Sequence, residues 1–341
     1  MTGHVRDPGR DDGDTPPVVS VLVPVRDDPD GIRELIGRLE AQTLPRGRFE
    51  IVIGDDGSRA GSLDDVVRNG GVRVEHGRPR TSYAARNRAA RVALGGVLAF
   101  CDSDCLPEPT WLEEGLAALE QADLVAGEVT FVPPARPTVW SLLTIDMFLD
   151  QERNALLSRA VTANLFVTKA VFAAAGVFDE SLPSGGDYDF ARRCVEQGAR
   201  LVYAPASVVR HPTLDSRPVF LRKVWTTNRW SAVRRVRDGG RPSFSNLLTF
   251  VPFLGVALAR RNALRPVAGL QRHRLVAAGL RPSWRDSARA LPVLYLLVAY
   301  VAVFGRVLGW LEGRRRVTGE PVFGYPTALA APLEAPVRTL A

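Results

Sequence analysis

Lysine is nearly missing from this 341-residue chain, with Lys169 and Lys223 the only two among 44 basic residues. The bias reads as codon usage in a GC-rich genome rather than as special arginine chemistry. Cysteine is scarce too: Cys101, Cys105 and Cys194 are too few for a disulfide framework. Cys101 and Cys105 bracket an acidic motif, but two further Cys or His ligands at zinc-site spacing are lacking. They read as small, buried, reduced thiols, which suits a cytoplasmic domain. The first 17 residues contain no apolar stretch of the kind a signal peptide needs; they are polar and read as a disordered lead-in. There is no internal repeat.

The chain does have apolar residues enough for a sizeable core, at 46%, and a net charge of +7. The cationic excess lies mostly after residue 210. It suits an anionic membrane surface or a nucleotide substrate as well as nucleic acid.

Residues 18–25 form a nearly continuous β-branched apolar run, as in a strand buried on both faces. Ile32, Leu35, Ile36 and Leu39 then fall on one helical face. A second apolar run, 49–53, ends at Gly54-Asp55-Asp56-Gly57-Ser58. Strand, helix and strand in this order predict a parallel βαβ unit. A short strand is expected at 72–74, a helix at 82–94, and a strand at 97–101 that stops at Asp102-Ser103-Asp104. Thr110 and Glu113 have capping-box spacing ahead of a helix with Leu112, Leu116 and Leu119. Another strand follows at 124–131, then a loop at 133–137. The alternation predicts an α/β domain with a mainly parallel sheet over 18–237.

Beyond residue 237 the character changes. The 238–289 region holds eight arginines between Arg260 and Arg289 and reads as a basic interfacial helical region. Residues 290–310 are apolar except for Arg306 and fit one transmembrane helix, followed by a basic tail, 311–341. This pattern places the protein at the cell membrane with its catalytic domain cytoplasmic.

In a parallel α/β sheet, ligands bind at the carboxyl ends of the strands. Asp55-Asp56 and Asp102-Ser103-Asp104 both sit at such ends. One Asp-rich turn is usually only a turn; two at the ends of core strands call for a cation or a hydrogen-bonding ligand. Asp102 and Asp104, spaced i, i+2, would share one face if extended. Their hard oxygens suit Mg²⁺ or Mn²⁺ bridging to phosphate.

Four segments in order carry a resemblance: VSVLVPVRDD (19–28), FEIVIGDDGS (49–58), TSYAARNRAARVALGGVLAFCDSDC (81–105) and GVFDESLPSGGDYDFARRC (176–194). Residues 18–210 resemble family 2 glycosyltransferases of the GT-A fold. The resemblance implies inverting transfer of a sugar from a nucleotide-diphosphate donor to an acceptor hydroxyl, in cell-envelope glycan or glycolipid synthesis. It implies that Asp55 and Asp56 recognise the nucleoside and that Pro24 and Val25 border its pocket. Asp102 and Asp104 would hold metal and diphosphate, with Arg86 and Asn87 near the donor and Arg86 on phosphate. Asp187 would be the catalytic base and Asp189 a supporting carboxylate. His211, following a strand at 201–203 and a short loop, would contact metal or diphosphate.

Two departures stand out. Where the family often carries Glu before the base, this chain has Gly186. Where processive synthases carry Gln-x-x-Arg-Trp, it has Thr226-Thr227-Asn228-Arg229-Trp230, which favours transfer of a single sugar; Trp225 and Trp230 read as belonging to an interfacial helix. Gly186 favours the alternative, a membrane-anchored non-catalytic scaffold. A sugar-nucleotide pyrophosphorylase is disfavoured because no Gly-rich loop follows the first strand. The basic stretch adjoins an apolar span, which fits phospholipid better than nucleic acid. The expected partners are thus a nucleotide sugar, a hydroxyl acceptor, lipid-linked on this reading, and the membrane.

Overall fold

The computed structural model describes residues 16–68, 72–240, 272–280 and 299–318. The greater part of the expected lead-in, basic region and tail, and residues 290–298 of the expected span, lie outside the described residues.

The chain runs β1 (Val19–Val25), α1 (Pro29–Glu40), β2 (Phe49–Asp55), α2 (Asp64–Arg68), β3 (Val72–His76), α3 (Ser82–Val92), β4 (Val97–Phe100), β5 (Leu106–Pro107), α4 (Trp111–Leu119), β6 (Leu124–Val132), α5 (Val139–Met147), α6 (Gln151–Leu156), β7 (Leu165–Thr168), α7 (Lys169–Ala175), α8 (Gly186–Glu196), β8 (Leu201–Pro212) and α9 (Arg217–Arg237). Two further helices are α10 (Arg272–Ala277) and α11 (Ala299–Thr318).

One eight-stranded sheet has the order β3-β2-β1-β4-β7-β6-β8-β5. The pairs among β3, β2, β1 and β4 are parallel, as is β6 with β8. β7 runs antiparallel to both β4 and β6, so β6 and β8 point the same way as β1, β2 and β4, and the two-residue β5 runs antiparallel to β8 at the edge. Every carboxyl strand end that carries a candidate residue therefore opens on one edge. The core fills both faces of the sheet. One cluster gathers Val21, Ile32, Leu35 and Ile51; the other gathers Leu22, Phe100, Phe178 and Phe190. β1 is buried at every position because strands flank it on both sides and helices cover both faces.

Local choices follow the residues. Pro29 opens α1, and Asp28 Oδ1 accepts from Gly31 N at 3.1 Å. A Cβ on Gly54 would overlap the Ala85 carbonyl, so glycine there lets the α3 backbone lie directly on β2. The capping box expected at Thr110 does not form; Thr110 makes no side-chain cap bond. Gln42 Oε1 accepts instead from Leu112 N at 3.1 Å, while Glu113 turns to the Thr43 hydroxyl. A residue 70 positions away satisfies the helix end, which local spacing could not show.

β8 is also longer than the 201–203 expected. Its register with β6 jumps from Gly127↔Ala204 to Glu128↔Val208. The residues between form a bulge, and pairing resumes to bring His211 opposite Phe131.

Residues 299–310 of the expected span belong to α11, which continues to Thr318 and carries Arg306, Glu312 and Arg314–Arg316. Gly305, Gly309 and Gly313 face Trp225, Arg229 and Val233 of α9, so the two helices run side by side in the same direction. Glu312 is buried between Arg229 and Arg316, at 2.8 Å from each. Among the described residues no helix is long and apolar enough to cross a membrane. The expected span is corrected to this extent: its described half belongs to a helix that packs on α9 and runs on into a charged end.

Candidate active site

At the carboxyl end of β2, Asp55 and Asp56 are both buried. Burial works to raise the Asp55 carboxyl, but bonds from Ser58 N (2.9 Å, to Oδ1) and His76 Nδ1 (2.9 Å, to Oδ2) leave it below its ordinary value. Asp56 Oδ1 accepts from Arg80 N at 2.9 Å, yet burial prevails and its carboxyl sits above the ordinary value. Pro24 and Val25 end β1 beside them, in register with Gly54 and Asp55, and Asp56 N donates to Val25 O at 2.8 Å. The four residues assigned to a nucleoside pocket are thus contiguous.

Asp102 and Asp104 do not lie on an extended backbone. Cys105 N donates to Asp102 O at 3.1 Å, closing a turn that gives the two carboxylates different partners. Asp102 pairs with Arg86, which is buried on α3 and whose Nε finds no hydrogen-bond partner among the described residues. Asp104 lies 3.6 Å from His211 Nε2. The β5–β8 pairing brings this about: Leu106 sits opposite Arg210, so the residue before the turn's end meets the carboxyl end of β8. Asp104, Cys105 and His211 bring their ligand atoms within 4.8 Å of one another.

This set fits a divalent cation. His211 Nδ1 lies 2.7 Å from Pro212 O, which can only accept, so Nδ1 carries the proton and the Nε2 lone pair faces Asp104. A lone pair and a carboxylate oxygen at that separation need a cation or a proton between them. Cys105 is a poor ligand for a hard ion, because burial and the neighbouring Cys101 push its thiol well above the ordinary range.

Asp187 lies in the first turn of α8, whose N-cap is Gly185 in the left-handed region, φ +79°. The cap position thus belongs to the residue two before Asp187, whose carboxylate is free for another task. Asp187 is buried, and its Oδ1 accepts from Tyr83 Oη at 3.0 Å and from Tyr188 N at 2.9 Å. Asp189 is held by three guanidiniums: Arg192 at 3.3 Å, Arg193 at 3.1 Å and Arg237 at 2.7 Å.

The loop before α8 is fixed from two sides. Asn87 on α3 donates to Phe178 O at 2.8 Å and accepts from Phe178 N at 3.0 Å. From α9, Arg234 donates to Gly185 O at 2.8 Å, and Trp230 packs with Leu182 and Val233.

A run of contacts joins the two halves of the site. Asp102 pairs with Arg86; the Arg86 guanidinium lies 5.5 Å from the Tyr83 ring centroid; and Tyr83 bonds Asp187. Sequence reasoning missed Tyr83, since an aromatic in an Ala-rich helix reads as core. Asn87, expected near the donor, also clamps the 178–180 loop through its amide.

A sequence profile described as glycosyl transferase family 2 matches residues 20–173. The glycosyltransferase AglE of Haloferax volcanii is 32% identical over 209 residues, covering 58% of this chain and 68% of that protein. The pre-mycofactocin glycosyltransferase of Mycobacterium tuberculosis is 30% identical over 211 residues, covering 57% of this chain but only 42% of its own length. Among solved structures, the mannosyltransferase PcManGT of Pyrobaculum calidifontis, in complex with GDP-Man and Mn²⁺, superposes with a TM-score of 0.55 at 19% identity, over 89% of this chain and 88% of that one. S. aureus TarS 1-349 with UDP-GlcNAc gives 0.50 at 18%, over 89% and 92%. The fold is thus GT-A-like, and the chain belongs to glycosyl transferase family 2. It is an enzyme, a glycosyltransferase.

Proposed function

We propose that this enzyme moves a single sugar from a nucleotide-diphosphate donor to an acceptor hydroxyl, with inversion at the sugar carbon. The observation that carries the reading is the run Asp102–Arg86–Tyr83–Asp187, which places a buried carboxylate beside a metal-competent turn on one sheet edge. The structural neighbours solved with GDP-Man and with UDP-GlcNAc support a nucleotide sugar as donor.

In this reading Asp55, Asp56, Pro24 and Val25 line the nucleoside side. Asp102, Asp104 and His211 would hold Mg²⁺ or Mn²⁺, a cation between these carboxylates and the diphosphate they would otherwise repel. When bound, the metal supplies positive charge against the departing diphosphate. Arg86 is placed to exchange Asp102 for a phosphate oxygen, adding a guanidinium to the same task. The acceptor oxygen bonds to the sugar carbon as the bond to the diphosphate breaks, and Asp187 takes the hydroxyl proton. Asp189 serves as a positioning residue, anchoring α8 to α9 through Arg237.

Asp187→Asn tests the base. Turnover is expected to fall by roughly two to four orders of magnitude, with thermal stabilisation by donor and Mn²⁺ preserved. Near-wild-type turnover would remove Asp187 from the role, and absence of any donor hydrolysis by the wild-type enzyme would favour a scaffold. We further propose a lipid-linked acceptor in cell-envelope glycan synthesis, with the enzyme at the cell membrane and its catalytic domain cytoplasmic. The eight arginines between Arg260 and Arg289, next to apolar residues 290–298, support that placement.

A further inference from the structure

Tyr83 stands between the donor side and the base. It lies in the first turn of α3, buried, with its ring 5.6 Å from that of Phe178 and its hydroxyl bonded to Asp187 Oδ1. The ring passes over Gly186: a Cβ there would lie 2.9 Å from Tyr83 Cε2 and 3.0 Å from Cδ2, closer than packed carbons approach. We propose that Tyr83 is the positioning residue for Asp187. Its phenol fixes the carboxylate through Oδ1 and turns Oδ2 to the acceptor hydroxyl, and position 186 is glycine so that the ring can reach it. This rests on Asp187 being the base.

The chemistry is consistent at each contact. Both hydrogen bonds that Asp187 receives among the described residues fall on Oδ1, one from a side chain and one from the helix backbone. Oδ2 is thereby left to accept a proton, and its direction is set by two fixed donors. Burial, with the nearby Asp187 charge, pushes the Tyr83 phenol well above its ordinary range, so it keeps its proton and donates at any working pH. A carboxylate at 186 would add a second negative charge beside the base; glycine with a phenol in its place orients the base by a neutral donor. The same ring carries the Arg86 guanidinium, so the base and the Asp102 partner rest on one aromatic side chain.

Tyr83→Phe, Gly186→Ala and the double variant test this in the full chain. GDP-mannose and UDP-GlcNAc with Mn²⁺ serve as donor probes, with release of nucleoside diphosphate as the readout. Tyr83→Phe is expected to lower kcat by roughly tenfold to a hundredfold while the donor KM changes by less than about twofold, since the bond lost orients the base and not the donor. Gly186→Ala should act alike by displacing the ring. The double variant should be no worse than the poorer single one, because both remove the same bond.

Asp187→Asn is run in parallel. Loss of turnover there with full kcat in Tyr83→Phe would overturn the positioning role and leave the base intact. Full turnover in Asp187→Asn would overturn both. A second arm needs no donor: urea unfolding of Tyr83→Phe, Asp187→Ala and their combination should be non-additive, since alanine removes the acceptor that asparagine would keep. Additive effects would mean the two side chains do not interact, and would also overturn the proposal.

Discussion

Two carboxylates outside the base show how neighbours decide what a residue does. Asp104 faces a histidine lone pair across a gap that a cation would fill, so Asp104→Asn and His211→Ala should each remove most Mn²⁺-dependent thermal stabilisation by donor, and most turnover with it. Retention of full activity by wild-type enzyme in excess EDTA would contradict the assignment. Asp146 is the opposite case. It is buried on α5 with no hydrogen-bond partner on either oxygen among the described residues, and burial raises its pKa to about 7 against the pull of Arg274. Its folded value lies above the unfolded one, so the folded state holds the proton longer. The native fold should therefore lose stability as pH rises from about 4 to about 7, by at most ~4 kcal/mol from this group. Above that window the loss is constant. Asp146→Asn removes the charge but not the shape. It should raise the unfolding temperature at pH 8 and leave it nearly unchanged at pH 4, which thermal melts across that range would check.

At the scale of elements, the site depends on helices that do not touch substrate. α9 carries Arg234 and Arg237, which hold Gly185, Asp179 and Asp189, and so fixes the entry into α8. α11 in turn packs on α9 through three glycines, one per helical turn, and through buried Glu312. A side chain at Gly309 would overlap the Arg229 carbonyl, which is backbone and cannot rotate away. Gly309→Ala should therefore cost roughly 1–3 kcal/mol and open α11 to limited proteolysis before the sheet unfolds. Unchanged protease resistance would show that the helix pair tolerates separation. The length and apolar character of residues 290–310 pointed to a transmembrane helix. What pattern alone does not show is that glycines four apart also let two helices approach closely within a protein.

For the whole molecule, charge governs which surfaces the protein can approach. Residues after 210 hold 21 Arg and Lys against 6 Asp and Glu, while the first 210 are net negative, and Arg274, far from snorkelling toward lipid, donates to the carbonyls of Ile145 and Phe148 beneath the Phe131 ring. The proposed membrane placement is thus asked of the remaining arginines. Co-flotation with phosphatidylglycerol vesicles is expected at low salt. It should weaken as ionic strength rises, because basic residues supply it. No flotation at low salt would contradict membrane association.

What the sequence by itself determined is the succession of strands and helices in the first two-thirds and the acidic turns at strand ends. Both are local properties: β-branched runs, helical spacing and turn residues act over a few positions, and β1, α1, β2, α3, β4 and β6 form where those patterns lie. It also supplied the four ordered motifs that mark the family. Only the tertiary structure decided which side chains share a site. The antiparallel insertion of β7, the bulge in β8 and the pairing of β5 bring Asp104 to His211 across more than a hundred residues. The turn after β4 sends Asp102 to Arg86 rather than beside Asp104, and Gly186 acquires meaning only with the Tyr83 ring lying over it. Spacing along a chain constrains neighbours within a few residues, whereas strand register and close packing set distances between residues that the sequence keeps far apart.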